Sequence, residues 1–254
     1  MKIAVITGAS SGMGKEFIYQ LNNQQKFDEI WVIARREDRL NEIRQDMGDF
    51  IRPIALDLTK DEAVEEYKAL LEKEQPEVAV LVNASGYGKF EAFENLSLSE
   101  QLGMIDLNAK ALTAMTYVTL PYLKAGSQVY QIASLSSFQP VPYIGVYGAT
   151  KAYVLSFTRA INAELRHTGI KMMAVCPGWV KTEFFGRAVV DDSVITYYNH
   201  VFTAQQVVTR ALKDMKKGKD VSICGFDIRA QVLLTKLLPH RLVMKIWLMQ
   251  QKKK

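Results

Sequence analysis

Tyr147 and Lys151 stand four residues apart in Gly145-Val146-Tyr147-Gly148-Ala149-Thr150-Lys151, and Ser134 precedes the tyrosine by thirteen. On a helix, residues four apart share a face, so the phenol and the ammonium can enter one pocket. A free tyrosine titrates near pH of about 10 and is a poor proton donor or acceptor at neutrality. A neighbouring ammonium favours the phenolate and lowers that value. A serine hydroxyl within reach can hydrogen-bond a carbonyl or hydroxyl oxygen as its charge changes. The three types together suit proton transfer on and off a carbon-bound oxygen. Tyr-x-x-x-Lys alone is a common helix-surface pair, so the reading depends on what the rest of the chain supplies.

The chain begins with a short β-branched run, Lys2-Ile3-Ala4-Val5-Ile6-Thr7, of the kind found in buried parallel strands. Gly8-Ala9-Ser10-Ser11-Gly12-Met13-Gly14 follows, and then a helical pattern with Phe17, Ile18 and Leu21. Glycines permit a tight turn and let a pyrophosphate approach the backbone. The helix start adds free amides and a positive dipole end. Strand, glycine loop and helix in that order predict a dinucleotide site.

Six further strand-like runs, at 29–34, 51–56, 78–83, 128–133, 170–176 and 220–224, alternate with helical patterns near 13–25, 37–47, 60–74, 99–124, 148–168 and 203–217. Regular alternation predicts an α/β fold with a parallel sheet covered on both faces. At 254 residues the chain can bury one large core, and no repeat, linker or low-complexity segment divides it. No run of 18 apolar residues suggests a membrane span. With the first strand starting at Lys2, no cleavable leader is expected, and a cytoplasmic location is expected. Cys176 and Cys224 fall in predicted strands as buried thiols, without a disulfide framework. His167, His200 and His240 lack metal-ligand spacing, and no metal site is expected. The net charge is +5, but residues 231–254 hold six basic residues and no acid, so the preceding 230 sum to −1. A nearly neutral body gives no reason to expect nucleic acid as a partner.

These motifs together resemble the short-chain dehydrogenase/reductase family, in its single-domain class of about this length, over roughly residues 2 to 225. The resemblance implies a doubly wound (Rossmann) α/β/α sandwich. Thr7, Gly8, Gly12 and Gly14, with Ser10, Ser11 and Met13 between, look like the cofactor loop. Asp57 and Leu58 sit where the family meets adenine. Asn108 matches the helix asparagine that holds a proton-relay water. Ser134, Tyr147 and Lys151 match the catalytic trio. Pro177, Gly178, Val180 and Thr182 resemble the loop after the sixth strand, with Val180 and Thr182 at the nicotinamide carboxamide. The fourth strand usually ends Asn-Asn-Ala-Gly. Here it reads Asn83-Ala84-Ser85-Gly86, so the second asparagine, which braces the sheet in the family, is Ala84. Ser85 is a candidate to take over part of that bonding, and Asn83, Ala84 and Ser85 are expected beside the cofactor.

Cofactor choice follows from charge. A carboxylate at the end of the second strand would repel a 2′-phosphate. This strand ends in Arg35 and Arg36 instead, and a guanidinium grips phosphate in a fork, so NADP(H) is expected. The resemblance then implies interconversion of a ketone and a secondary alcohol. Tyr147 would exchange the proton, Lys151 would lower its pKa and hold the ribose, Ser134 would polarise the carbonyl, and Asn108 would support a water chain. Phe184, Phe185, Val189, Val190, Ile195, Tyr197, Tyr198 and Phe202 populate a lid near 183–202. Phe138, Val141, Tyr143, Tyr87 and Phe90 lie close in sequence to the motifs. Such a pocket suits a hydroxysteroid or bile acid, a 3-oxoacyl group or a xenobiotic carbonyl. Two rivals are a redox-neutral isomerase or dehydratase of the same superfamily and a non-catalytic NADP-binding regulator. The expected organisation is a catalytic domain over 1–230 and a basic amphipathic extension over 231–254, broken at Pro239. That extension could touch an anionic membrane surface, pack on a partner subunit or cover its own pocket. A homodimer or homotetramer is expected from the resemblance.

Overall fold

The computed structural model describes residues 1–189 and 194–253. Val190, expected in the lid, and Lys254, in the tail, lie outside them.

Nine strands and ten α-helices follow one another as β1 (Lys2–Thr7), α1 (Gly12–Asn22), β2 (Glu29–Ala34), α2 (Glu37–Met47), β3 (Ile51–Ala55), α3 (Asp61–Glu74), β4 (Glu77–Asn83), α4 (Leu98–Ile105), α5 (Leu112–Thr119), β5 (Gln128–Ile132), α6 (Gly145–Glu164), β6 (Lys171–Val175), β7 (Trp179–Lys181), α7 (Glu183–Ala188), β8 (Val201–Thr203), α8 (Ala204–Lys216), β9 (Val221–Ser222), α9 (Phe226–Leu237) and α10 (His240–Gln250), among the described residues. Seven strands form a parallel sheet in the order β3-β2-β1-β4-β5-β6-β9. The order reverses between β1 and β4, and a doubly wound sheet opens its binding crevice at such a switch point.

Strand alternation supplies two cores. Ala4 and Ile6 of β1 face the layer holding Phe17, Ile18, Leu40, Ile43, Val208 and Leu212, so α1, α2 and α8 cover that side. Ile3 and Val5 face the layer holding Ala63, Tyr67, Leu71 and Met115, which α3 and α5 supply. Tyr67 is fully buried, and its hydroxyl is satisfied by Thr119 Oγ1 at 2.8 Å.

The brace of the sheet differs from the one expected at Ser85. Thr7 Oγ1 accepts from the backbone N–H of both Ala84 and Ser85, each at 3.1 Å. Asn83 Nδ2 donates to Gln131 Oε1 at 3.0 Å and Thr116 Oγ1 at 3.1 Å, and Gln131 Nε2 donates to Thr116 at 2.8 Å. Ser85 therefore contributes its amide, and the side-chain load falls on Thr7, Asn83, Gln131 and Thr116.

Local features add to or depart from the sequence reading. The helix expected over 99–124 contains a π turn at Asp106–Ala111 between α4 and α5. Leu135–Phe138 forms a short 3-10 turn. Neither cysteine lies within a strand: Cys176 follows β6 and is buried, whereas Cys224 follows β9 and is only partly covered. β7 and β8 form a separate two-stranded parallel sheet that ties the lid segment to the base of α8.

Candidate active site

The C-terminal ends of β1, β4, β5 and β6 converge on a cavity of about 580 Å³. Ser134, Tyr147 and Lys151 line it together, with Met13, Ala84, Pro177, Gly178, Val180 and Thr182 around them. α6 carries the tyrosine and lysine one turn apart. Thr150 Oγ1 donates to the Tyr147 carbonyl at 2.7 Å, and Ser137 Oγ donates to the Lys151 carbonyl at 2.7 Å, so the helix is pinned on either side of the pair. Ser134 caps the 3-10 turn, its hydroxyl accepting from Ser136 N–H at 3.2 Å.

Asn108 is fully buried and reaches the site because the π turn displaces it from a regular helical register. Its Oδ1 accepts from Tyr87 N–H at 3.0 Å. Its Nδ2 donates to Tyr87 O at 2.8 Å and to Thr150 Oγ1 at 3.1 Å. Gly86 lies between Asn108 and Lys151. A Cβ there would fall 2.9 Å from Asn108 Oδ1 and 3.3 Å from Lys151 Nζ, so only glycine leaves this junction open.

The electrostatics correct one expectation. Burial pushes the Tyr147 phenol up to about 12, with the Ser134 side chain pulling weakly the other way. Burial pushes the Lys151 ammonium down to about 8. Lys151 Nζ donates to the Ile132 carbonyl at 2.7 Å and sits 5.7 Å from the centre of the Tyr147 ring. Lys151 was expected to lower the tyrosine pKa. Here the lysine is itself desolvated and directed at a carbonyl, so desolvation of the phenol wins.

The cleft between the β1–α1 turn and the lid fits a dinucleotide. Ser11 caps α1 without a side-chain hydrogen bond, and the first turn holds no acid, so the amides and the positive dipole end remain for an anion. Gly8 is at φ 64°, and a Cβ there would strike the Ala84 carbonyl at 2.6 Å. Gly12, at φ 55°, passes so close to Thr182 that a Cβ would meet its methyl at 3.3 Å. Ser10 and Arg36 lie together at the end of β2, with Arg36 Nη2 donating to Ser10 Oγ at 3.1 Å. Arg35 is exposed beside them. Arg36 Nη1 also reaches Glu183 on α7 at 2.9 Å, bridging the cleft.

Some expected contacts are redirected. The Asn83 side chain is spent on the sheet brace, and Leu58 is packed into the core, so each leaves only backbone groups for a ligand. Asp57 Oδ1 holds its own turn through Thr59 N–H at 3.1 Å and Thr59 Oγ1 at 2.8 Å.

The apolar lid divides in two. Phe184 packs on Tyr147 with ring centres 5.5 Å apart, and Phe90 does so at 5.6 Å. Phe90, Val141, Phe184, Phe185 and Tyr197 line the cavity, while Phe202 is buried in the main core and Ile195 in the cluster beneath the lid. Sequence reasoning missed Ile144 and Trp179 as lining residues. It also left open what the tail does. α9 and α10 fold back over the cavity, with Leu234, Leu238, Val243, Ile246 and Trp247 in its wall. Trp247 Nε1 donates to Pro142 O at 3.1 Å. Gln251 is buried, and its Oε1 accepts from Thr196 N–H at 2.8 Å and Tyr197 N–H at 3.0 Å. The regular apolar spacing after residue 231 was the signal for this cover.

Comparisons with known proteins bear on the family and the fold. The NADP-dependent 3-hydroxy acid dehydrogenase YdfG of Escherichia coli O6:H1 is 32% identical over 221 residues, spanning 83% of this chain and 87% of the relative. Sulfoacetaldehyde reductase 2 of Chromohalobacter salexigens is 32% identical over 191 residues, 72% of this chain and 74% of the relative. Among solved structures, a short-chain dehydrogenase from Sphingobium yanoikuyae in complex with NADPH superposes with a TM-score of 0.77 at 26% identity, covering 88% and 87% of the two chains. Residues 2–193 match the family described as short chain dehydrogenase, and the chain belongs to that family.

Proposed function

We propose that this chain is an NADP(H)-dependent oxidoreductase that interconverts a ketone and a secondary alcohol on an apolar substrate. The observation that carries the reading is the convergence of Ser134, Tyr147 and Lys151 on one cavity beside an uncapped, acid-free helix start. The choice of NADP(H) over NAD(H) rests on Arg36 and Ser10 at the end of β2, and two relatives or neighbours carry NADP(H) in their names.

The dinucleotide, when bound, supplies or accepts the hydride at the substrate carbon. The amides of Gly12, Met13 and Gly14 would hold its pyrophosphate and Arg36 its 2′-phosphate, with Arg35 adding charge. In the reducing direction Ser134 orients the carbonyl oxygen and Tyr147 donates its proton to it. With its pKa near 12 the phenol is fully protonated at neutral pH, ready to act as the acid. Alcohol oxidation needs the phenolate, and Lys151, protonated below about 8, is the charge nearest to stabilise it. Asn108 holds the Tyr87 backbone and Thr150, fixing the floor of the site against α6.

The lining supports a reading of the substrate class. Among the described residues that line the cavity, Lys151 is the sole cation and Asp227 the sole acid. An anionic substrate would find only this lysine, which already donates to the Ile132 carbonyl. Phe90, Val141, Phe184, Trp179 and Trp247 favour a bulky hydrophobic ketone, such as a steroid, a long 3-oxoacyl group or an aromatic ketone. Arg187 of the lid does not change this, because it pairs with Glu183 at 3.3 Å.

The test is consumption of NADPH against a panel of apolar ketones and small carboxylated carbonyls, each beside NADH. Turnover of the apolar class with NADPH is the expected result. Preference for small acids would overturn the substrate class. Binding of NADPH without turnover across the panel would favour the regulator.

A further inference from the structure

α9 and α10 present an exposed apolar surface that the cavity opens onto. Phe226, Leu233 and Leu237 fall on one stripe of α9, with Phe226 at 80% and Leu237 at 72% exposure. Leu242, Ile246 and Met249 are exposed on α10. Leu234 and Ile246 are at once exposed and part of the cavity wall. Leu234 on α9 and Ile246 on α10 therefore each link solvent to the wall of the proposed substrate site.

Beyond Asp227 at the start of α9, which sits 3.3 Å from His200, the charge along this surface has one sign. From residue 228 to the end the chain holds seven basic residues and no acid. Arg229, Lys236, Arg241, Lys245 and Lys252 are exposed beside the apolar stripe. A recess of about 220 Å³ adjoins α9 and takes in Arg229 and Lys236. Its two acids are already engaged: Asp214 with Arg210 at 2.7 Å and Lys219 at 3.0 Å, and Asp220 with Arg159 at 2.7 Å. The positive charge of Arg229 and Lys236 is left without an acidic counterpart there.

A second copy of the chain would set the same cations against each other across a two-fold axis. An anionic bilayer offers the complement to both properties, hydrocarbon for the leucines and headgroup phosphates for the cations. Among the described residues no helix is long and apolar enough to cross a membrane, so contact would lie in the headgroup plane. We propose that the α9–α10 face docks on an anionic lipid surface and that apolar substrates enter the cavity from the bilayer past Leu234 and Ile246. The second half rests on the ketone–alcohol reading above; the docking itself does not.

The test is sedimentation of the full chain with phosphatidylcholine vesicles, with and without phosphatidylglycerol, in low and high salt. No cofactor or substrate is present, so a failure of the oxidoreductase reading cannot alter the outcome. Binding to the anionic vesicles that weakens with salt is expected. Leu233→Asp/Leu237→Asp, whose side chains stand outside the cavity, should bind about tenfold more weakly or worse while keeping the wild-type melting temperature. Should that variant fail to fold, Arg241→Glu/Lys245→Glu replaces it and is expected to lose the salt-sensitive part. Absence of binding to anionic vesicles, equal binding to neutral ones, or unchanged binding by both variants would overturn the proposal. So would a wild-type dimer that Leu233→Asp/Leu237→Asp converts to monomers, since the face would then belong to a second copy.

Discussion

One ion pair and one buried lysine decide, at the residue scale, how the site is tuned. Arg36 is shared between Ser10 and Glu183, and the Arg36–Glu183 pair is 31% and 49% exposed at its two side chains. A pair that exposed contributes about 0–1 kcal/mol after solvent screening. A guanidinium fork on phosphate contributes about 1.5–3 kcal/mol, so a 2′-phosphate displaces the carboxylate. Glu183→Gln should therefore tighten NADPH binding by about two- to fivefold and leave NADH unchanged, as read by nucleotide fluorescence. Equal tightening of both would show that Glu183 acts elsewhere. Lys151 sets a pH window. Its pKa falls from 10.5 to about 8 on folding, so between those values the unfolded chain binds more protons than the folded one. Stability gains with rising pH across that window, and Lys151→Met should lack the gain in thermal melts. The charge on Lys151 is lost over the same rise, so alcohol oxidation should depart above about pH 8 from the steady increase a titrating phenol alone would give. Identical wild-type and Lys151→Met melting profiles from pH 8 to 10 would contradict the assignment.

Elements rather than residues explain why Asn108 arrives at the site. Leu98 to Thr119 would be one helix but for the π turn at Asp106–Ala111, whose wider register turns Asn108 inward. Gly86 on the facing loop keeps the space clear. Gly86→Ala should lower kcat by about tenfold or more, because the new methyl either displaces the Asn108 amide or moves Lys151. Its melting temperature should change little, which separates this from a folding defect; wild-type kcat would mean the junction tolerates displacement. Much of this scale was legible in sequence. Continuous apolar runs and helical spacing gave β1, β2 and α2 with their bounds, and the glycine loop marked the turn between β1 and α1. The π turn was not legible, because Asp106 to Ala111 have the composition of an ordinary helix. The direction of the Tyr147 shift was not legible either, since burial is a property of Phe90 and Phe184, which meet the ring from distant segments. Ala84 in place of the usual asparagine signalled a changed brace, but not that Thr7 and Gln131 would supply it.

The whole molecule is a sheet whose switch point holds the cofactor cleft, with a tail that closes the other side of the cavity. Trp247 and Gln251 strap α10 to the Pro142 loop and to the lid at Thr196 and Tyr197. Removing residues 239–254 should open the cavity, raising KM for a bulky ketone by about tenfold while leaving NADPH affinity unchanged, because the cleft for the dinucleotide draws nothing from α10. Equal loss of both would mean that the tail supports the fold rather than the pocket. The sequence offered three roles for this segment, and helical spacing alone could not show that it walls the cavity; that needed the side-chain contacts of α10 with segments over fifty residues away. The central claim remains the chemistry at Tyr147. Its most direct measurement is transfer of deuterium from nicotinamide-deuterated NADPH to the carbinol carbon of an apolar ketone, followed by mass spectrometry in wild type and Tyr147→Phe. Wild type should deliver the label, and Tyr147→Phe should bind NADPH equally yet transfer it at least about a hundredfold more slowly. Label transfer by Tyr147→Phe at the wild-type rate, or none by wild type with any ketone it binds, would contradict the account.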